Sequence, residues 1–350
     1  MKSKYWDEKT IDKIRKGYYS ASYFNKTKEI LLKEDNLKKI TMQIFQRNDN
    51  AVLCGVTQAI ELLKIGTGYF KNGKWVSKWN TLTIKTLKDG DVLKSKQPVM
   101  HIIGPYAYFA QLESLYLGIL ARQTRIATNA KNIVKAANKK PVLFFADRFD
   151  YFLNQELDGY AANVGGVTNV CTSAHGNWFT TEPVGTIPHS LIATSNGNTV
   201  ETARKFNQYF PKNNLIALVD FDNDCITESL KVARTFGSKL WGVRLDTAGD
   251  LVDKSLQKLV EKNNELHGVN PTLVKIMRNA LDKEGFGKVK IIVSGGFNKD
   301  KISWFEKAKT PVDIYAVGSA MLEGKNDFTA DIVKVDGKKI AKVGRKLMRI

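Results

Sequence analysis

Between residues 142 and 319 this 350-residue chain carries five short apolar runs, each closing on polar residues or glycine. They are Val142-Leu143-Phe144-Phe145-Ala146-Asp147, Leu215-Ile216-Ala217-Leu218-Val219-Asp220, Leu240-Trp241-Gly242-Val243-Arg244-Leu245-Asp246, Ile291-Ile292-Val293-Ser294-Gly295-Gly296 and Ile314-Tyr315-Ala316-Val317-Gly318-Ser319. Continuous apolar runs of this length suit parallel strands covered on both faces, and the helical patterns between them supply the crossovers. The rhythm belongs to a β/α barrel or a doubly wound sheet. Polar residues gather at the C-terminal end of every run, which in a barrel is the mouth where sites are built, so the barrel is the expected architecture.

Residues 1–110 are organised differently. They hold β-rich pieces, Gly68 to Trp79 and Pro98 to Ile103, and a helix from about Tyr108 to Ala137 then leads into the barrel. Near the C-terminus, Thr329–Val335 and Lys339–Val343 flank Asp336-Gly337, a hairpin signal. The expectation is an α/β chain of two domains. An irregular β/α barrel spans 111–324, and a smaller α/β domain of 1–110 is rejoined by 325–350 as a C-terminal β-hairpin. A 43% hydrophobic composition suffices for two cores.

The formal net charge of +19 raises the possibility of a nucleic-acid partner. The excess is lysine scattered through amphipathic segments, with no arginine-rich block and no basic strand interleaved with aromatics, so no nucleic-acid role is expected. A lysine-rich proteome, or a general field that gathers anionic substrates, is the plainer explanation. No uncharged apolar run is long enough to span a bilayer, and the N-terminal residues show no apolar signal core. Cys54, Cys171 and Cys225 are odd in number and widely spaced, which supports neither disulfides nor a zinc site. A cytoplasmic protein without membrane association is expected.

The last two runs end in Ser294-Gly295-Gly296 and Gly318-Ser319. Small residues there let backbone N–H groups approach a phosphate, although each turn is also an ordinary strand-to-helix connection. Their pairing at the end of a βα series favours phosphate. Arg244 and Asp246, two apart at a strand end, face one ligand or form a structural ion pair. Asp220 and Asp222 have the same spacing and suit ribose or magnesium; helix capping competes, more so for Asp224. His189, in Gly185-Thr186-Ile187-Pro188-His189-Ser190, stands just past a tight turn at another junction, whereas His101, His175 and His267 read as structural.

These pieces, with Leu112-Glu113-Ser114-Leu115 leading into Ala121–Thr128 and with Val293-Ser294-Gly295-Gly296-Phe297, resemble the nicotinate phosphoribosyltransferase family over nearly the whole chain and in the family's order. The resemblance implies a type II phosphoribosyltransferase that makes nicotinate mononucleotide and pyrophosphate from nicotinate and 5-phosphoribosyl-1-pyrophosphate. It implies Mg2+ on Asp220 and Asp246, and ATP hydrolysis coupled through a phosphohistidine at His189. A homodimer with shared active sites is also implied, Tyr23 of one subunit and Phe145 of the other sandwiching the pyridine ring. Arg148 would bind the carboxylate or neighbouring phosphates, and Arg244 and the acidic residues the phosphoribosyl group. Thr168, Ser190 and Asp222 would join the substrate contacts, and Ser294, Gly295, Gly296, Gly318 and Ser319 would hold the 5′-phosphate. Asn169 replaces an aspartate of nicotinamide-using relatives, favouring a carboxylate substrate. The alternatives are a quinolinate phosphoribosyltransferase, which needs more cations for its second carboxylate, and a non-catalytic phosphate-ligand or RNA-binding protein.

Overall fold

A computed structural model describes residues 3–179, 181–262 and 266–350. The chain divides into two compact units, Met1–Thr128 with Gly324–Ile350, and Asn129–Glu323.

The first unit is built on a four-stranded antiparallel sheet in the order Phe328–Val335, Lys39–Gln46, Pro98–Pro105, Thr83–Thr86. The strand Lys39–Gln46 lies between two partners and is buried from Ile40 onward. Met42, Ile44, Met100 and Ile102 pack with Leu62 and Leu63 of the helix Val56–Gly66 and with Phe109, Leu112, Tyr116 and Leu120. Those last residues explain why the division of the chain falls between Thr128 and Asn129, inside the helix Glu113–Ala136, and not near 110: the first half of that helix belongs to this core.

The expected C-terminal hairpin forms only in part. Asp336 and Gly337 take positive φ values of 47° and 80° and turn the chain, with Val335 bridging Lys338. The segment Lys339–Val343 is not a strand. Its apolar residues Ile340 and Val343 would fall on opposite faces of a pleat, so neither face can be buried, and both side chains are exposed. The tail is instead tied down by polar contacts, Gln43 donating to the Lys346 carbonyl and accepting from the Met348 N–H.

The second unit carries a six-stranded, wholly parallel sheet in the order Leu215–Leu218, Leu240–Leu245, Lys290–Val293, Ile314–Val317, Val142–Phe144, Asn169–Val170. This half-barrel bears out the expected α/β class, and each of the five apolar runs supplies a strand. Leu143, Ile216, Ile292 and Ala316 form one interior layer, joined by Phe145, Val184 and Trp241. Crossover helices Cys225–Phe236, Pro271–Lys283 and Lys299–Lys307 start at Asp224, Asn270 and Asn298, whose side chains accept from the third backbone N–H beyond. Between Val170 and Leu215 the described chain adds no strand; Val184 N–H bonds the Val170 carbonyl, and the rest is turn and helix, which makes the barrel irregular. No described helix is long and apolar enough to cross a membrane.

Candidate active site

Parallel strands direct all their C-terminal ends to one side, and in the second unit those ends surround a cavity of about 540 Å³. Its walls include Phe145, Arg148, Thr186, His189, Ser190, Arg244, Asp246, Ser294, Gly295, Gly296, Gly318 and Ser319. The two glycine turns therefore converge on one space, as the barrel argument requires. Gly295 and Gly296 both adopt positive φ, 88° and 64°, a region that favours glycine. Neither backbone N–H has a protein acceptor among the described residues. At Gly318 the constraint is close approach: a Cβ would lie 2.3 Å from the Phe149 ring and 2.8 Å from the Phe145 carbonyl.

Arg244 leaves its strand pointing into the cavity wall, its side chain only 10% exposed. Nη1 donates to Thr186 Oγ1 at 2.6 Å, Nη2 reaches Asp246 Oδ2 at 3.5 Å, and the guanidinium lies 5.6 Å from the Phe145 ring centre. Burial lowers its pKa, opposed by Asp246 and Asp220, with Arg148 adding to the lowering. Asp246 is fixed from its other oxygen by the Ser294 hydroxyl at 2.7 Å. A cation, a carboxylate and a glycine turn from adjacent strands are thus locked into one polar wall.

His189 opens the short helix His189–Thr194 and is half-exposed, with Nε2 2.9 Å from Asp220 Oδ2. Asp220 is almost wholly buried; burial raises its pKa, the facing histidine opposes this, and the Asp246 charge adds to it. The pair has the form of a nucleophile or acid–base imidazole oriented by a carboxylate.

Several expected site residues stand apart from this cavity. Asp222 is exposed and does not line it. Asp220 and Asp222 do not share a direction, because the strand ends at Leu218 and the chain turns through Asn223, which has positive φ and bonds the Asp220 carbonyl. Thr168 and Asn169 also lie off the wall, Asn169 donating to the Thr168 hydroxyl at 3.2 Å. Tyr23 belongs to the first unit, 62% exposed on the helix Ser22–Lys33. Asp220 is a second layer behind His189.

Thr186, Phe149, Asp147 and Cys171 were not among the expected site residues, yet all line the cavity. Thr186 lies 58 residues from the arginine it orients, so no local pattern could pair them. The Cys171 thiol donates to Asp147 at 3.3 Å, and burial with that carboxylate pushes it up to about 12. His175, tilted against the Phe144 ring at 4.6 Å between centres, is pushed down to about 4 by burial. Cys171 is thus a protonated thiol of low reactivity. No described group of three or more His, Cys, Asp or Glu could by itself hold a metal ion.

Comparison with known proteins places this geometry in a family. Residues 22–124 match the model of the N-terminal domain of quinolinate phosphoribosyl transferase, and residues 126–332 match that of its C-terminal domain. A nicotinate phosphoribosyltransferase of Bacillus subtilis (strain 168) is 24% identical over 68% of this chain and 45% of its own length. The chain spans about half the length of the curated relatives it matches. The crystal structure of nicotinate-nucleotide pyrophosphorylase from Pyrococcus furiosus superposes with a TM-score of 0.82 at 31% identity, covering 100% of this chain and 82% of that one. Human nicotinic acid phosphoribosyltransferase shares the fold, with a TM-score of 0.71 at 15% identity over 93% of this chain and 77% of that one. With both domain models matched in order across most of its length, the chain belongs to the quinolinate phosphoribosyl transferase family, and so to the type II phosphoribosyltransferases.

Proposed function

We propose that the chain is a nicotinate phosphoribosyltransferase that couples mononucleotide formation to ATP hydrolysis. The observation that carries this reading is His189, facing the cavity of the two glycine turns with Nε2 held by the buried Asp220 carboxylate. When Nε2–H donates to Asp220, the lone pair of Nδ1 is the one left to take a phosphoryl group. The curated relatives' names support the same substrate.

In this reading the ring nitrogen of nicotinate bonds the anomeric carbon while the bond from that carbon to pyrophosphate breaks, the electron pair leaving with pyrophosphate. Gly295, Gly296, Gly318 and Ser319 hold the 5′-phosphate, Arg244 the phosphoribosyl group, and Arg148 the carboxylate or neighbouring phosphates. Phe145, already faced by the Arg244 guanidinium, offers a ring for the pyridine to stack on. Preorganised charge supplies most of the rate. The residues also fit magnesium: Asp220 Oδ1 is buried without a hydrogen-bond partner, and its carboxylate interacts unfavourably with that of Asp246. Asp246, on the cavity wall, would hold the ion, with Asp220 adding its charge from behind His189; when bound the ion would neutralise charge on the departing pyrophosphate, and magnesium commonly takes one or two carboxylates plus substrate oxygens. Tyr23 of a second subunit as the other stacking ring, a homodimer and a cytoplasmic setting complete the proposal.

A quinolinate phosphoribosyltransferase is the nearest rival, and the name of the family models favours it. Its second carboxylate calls for further cations, whereas the arginines of the described cavity wall are Arg148 and Arg244, the latter already reaching Asp246. Purified protein incubated with phosphoribosyl pyrophosphate, magnesium and either nicotinate, quinolinate or nicotinamide, with and without ATP, decides the matter. Turnover of nicotinate, stimulated by ATP, is expected. Turnover of quinolinate alone would replace the reading, and no mononucleotide from any base would leave a non-catalytic ligand-binding protein.

A further inference from the structure

Lys301 stands in the first turn of the helix Lys299–Lys307, where the positive end of the helix dipole disfavours a cation. Its side chain does not extend into solvent. It folds back along the turn between strand and helix, packs its ammonium 4.5 Å from the centre of the buried Phe297 ring, and donates to the Gly295 carbonyl at 2.9 Å. Burial lowers its pKa, with Asp246 opposing.

The carbonyl of Gly295 and the N–H of Gly296 belong to one planar trans peptide, so they point in opposite directions. A carbonyl latched onto Lys301 aims the Gly296 N–H away from Lys301, and Lys301 is not part of the cavity wall whereas Gly296 is. Without a latch this peptide would be free to rotate, because it joins two glycines with broad backbone freedom. Neither glycine N–H has a protein acceptor among the described residues. An ammonium on the carbonyl side also polarises the peptide, strengthening its N–H as a donor.

Resting on the proposed function, we infer that Lys301 is a positioning residue for the phosphate of the phosphoribosyl substrate: it fixes the Gly295–Gly296 peptide with its N–H towards the anion. It touches no substrate atom in this role. Ribose 5-phosphate, which carries the phosphate but neither base nor pyrophosphate, tests it without turnover. By calorimetry K301M should bind ribose 5-phosphate about tenfold more weakly than wild type, the scale of a lost charge-assisted hydrogen bond. The KM for phosphoribosyl pyrophosphate should rise in step while that for nicotinate stays put, and K301R should recover most of the loss. A structural role alone would move both KM values, or only the thermal midpoint. Wild-type affinity in K301M, parallel rises in both KM values, or no ribose 5-phosphate binding by the wild type would each overturn the inference. If K301M does not fold, K301Q, which keeps a neutral donor, is judged by the same criteria. Ribose 5-phosphate binding that depends on Lys301, in a protein that turns over none of the bases, would uphold the inference and refute the proposed function.

Discussion

Thr186→Val removes one oxygen from the site while keeping the shape of the side chain, and its consequence can be worked from the surroundings of Arg244. That guanidinium is nearly buried; Nε has no acceptor, and Nη2 reaches Asp246 only at 3.5 Å, so the 2.6 Å bond to Thr186 is its shortest contact. A hydrogen bond to a charged group contributes about 1.5–3 kcal/mol, and leaving a buried cation short of an acceptor costs the same order. Some of that is recovered as the guanidinium swings towards Asp246, which places the expected loss near the lower end, about 1.5 kcal/mol. Because the swing takes Arg244 off the phosphoribosyl group, the loss should show as a rise of about tenfold in KM for phosphoribosyl pyrophosphate. Steady-state kinetics with one substrate varied at a time reads it: the KM for nicotinate should not change, and T186S, which keeps the hydroxyl, should behave as wild type. A T186V protein with wild-type KM for phosphoribosyl pyrophosphate would refute the claim that this hydroxyl orients the arginine.

Three further changes have definite outcomes. H189A should abolish ATP stimulation while leaving measurable basal transfer, and equal stimulation in variant and wild type would remove the histidine from the coupling. G318A should destabilise the protein by about 1–3 kcal/mol in denaturant titrations, as overpacking does; the exposed Phe149 ring can move aside, but the Phe145 carbonyl 2.8 Å from the new Cβ is backbone and cannot. Glu113, in the first unit, is pushed up to about 7 by burial, with the Tyr106 hydroxyl opposing and Asp331 adding to the shift. A folded-state value raised this way makes its stability contribution complete below the unfolded value and lost as pH rises through about 7. Unfolding free energies of wild type and E113Q, from denaturant titrations at a series of pH values, should therefore diverge with rising pH, by up to about 3 kcal/mol in favour of E113Q at pH 8, and parallel curves would show that Glu113 is ordinary.

The parallel sheet was legible because a strand covered on both faces needs apolar side chains at every position, and Leu215–Leu218 is buried at all four. The glycine turns were legible for a different reason: positive φ at Gly295 and Gly296 and the tight approach at Gly318 leave few alternatives to glycine. Arg244 and Asp246 could be paired from spacing because Arg244 is still in its strand, whereas Asp220 and Asp222 could not, since their strand had ended. Thr186 and Lys301 were not readable in this way. The first meets its partner across the barrel, and the second sits in a chain so rich in lysine that one more on a helix carries no signal. The second hairpin arm does not follow from the sequence, since Asp336-Gly337 fixes a turn but says nothing about whether the residues after it can bury a face.

The net charge of +19 is a property of the surface more than of the cavity, and the difference has a kinetic consequence. The wall carries Arg148 and Arg244 together with Asp147 and Asp246, and Arg244 is held beside Asp246, so a polyphosphate arriving there finds directed N–H groups and one oriented guanidinium more than a pool of cations. Scattered lysines act at distances comparable to the screening length and are damped by salt; contacts inside a cavity are damped far less. Raising ionic strength should therefore slow capture of phosphoribosyl pyrophosphate, and so lower kcat/KM for it, while leaving the choice among pyridine carboxylates unchanged. That separation is what the geometry requires if the lysines gather the anion and the barrel mouth selects the base.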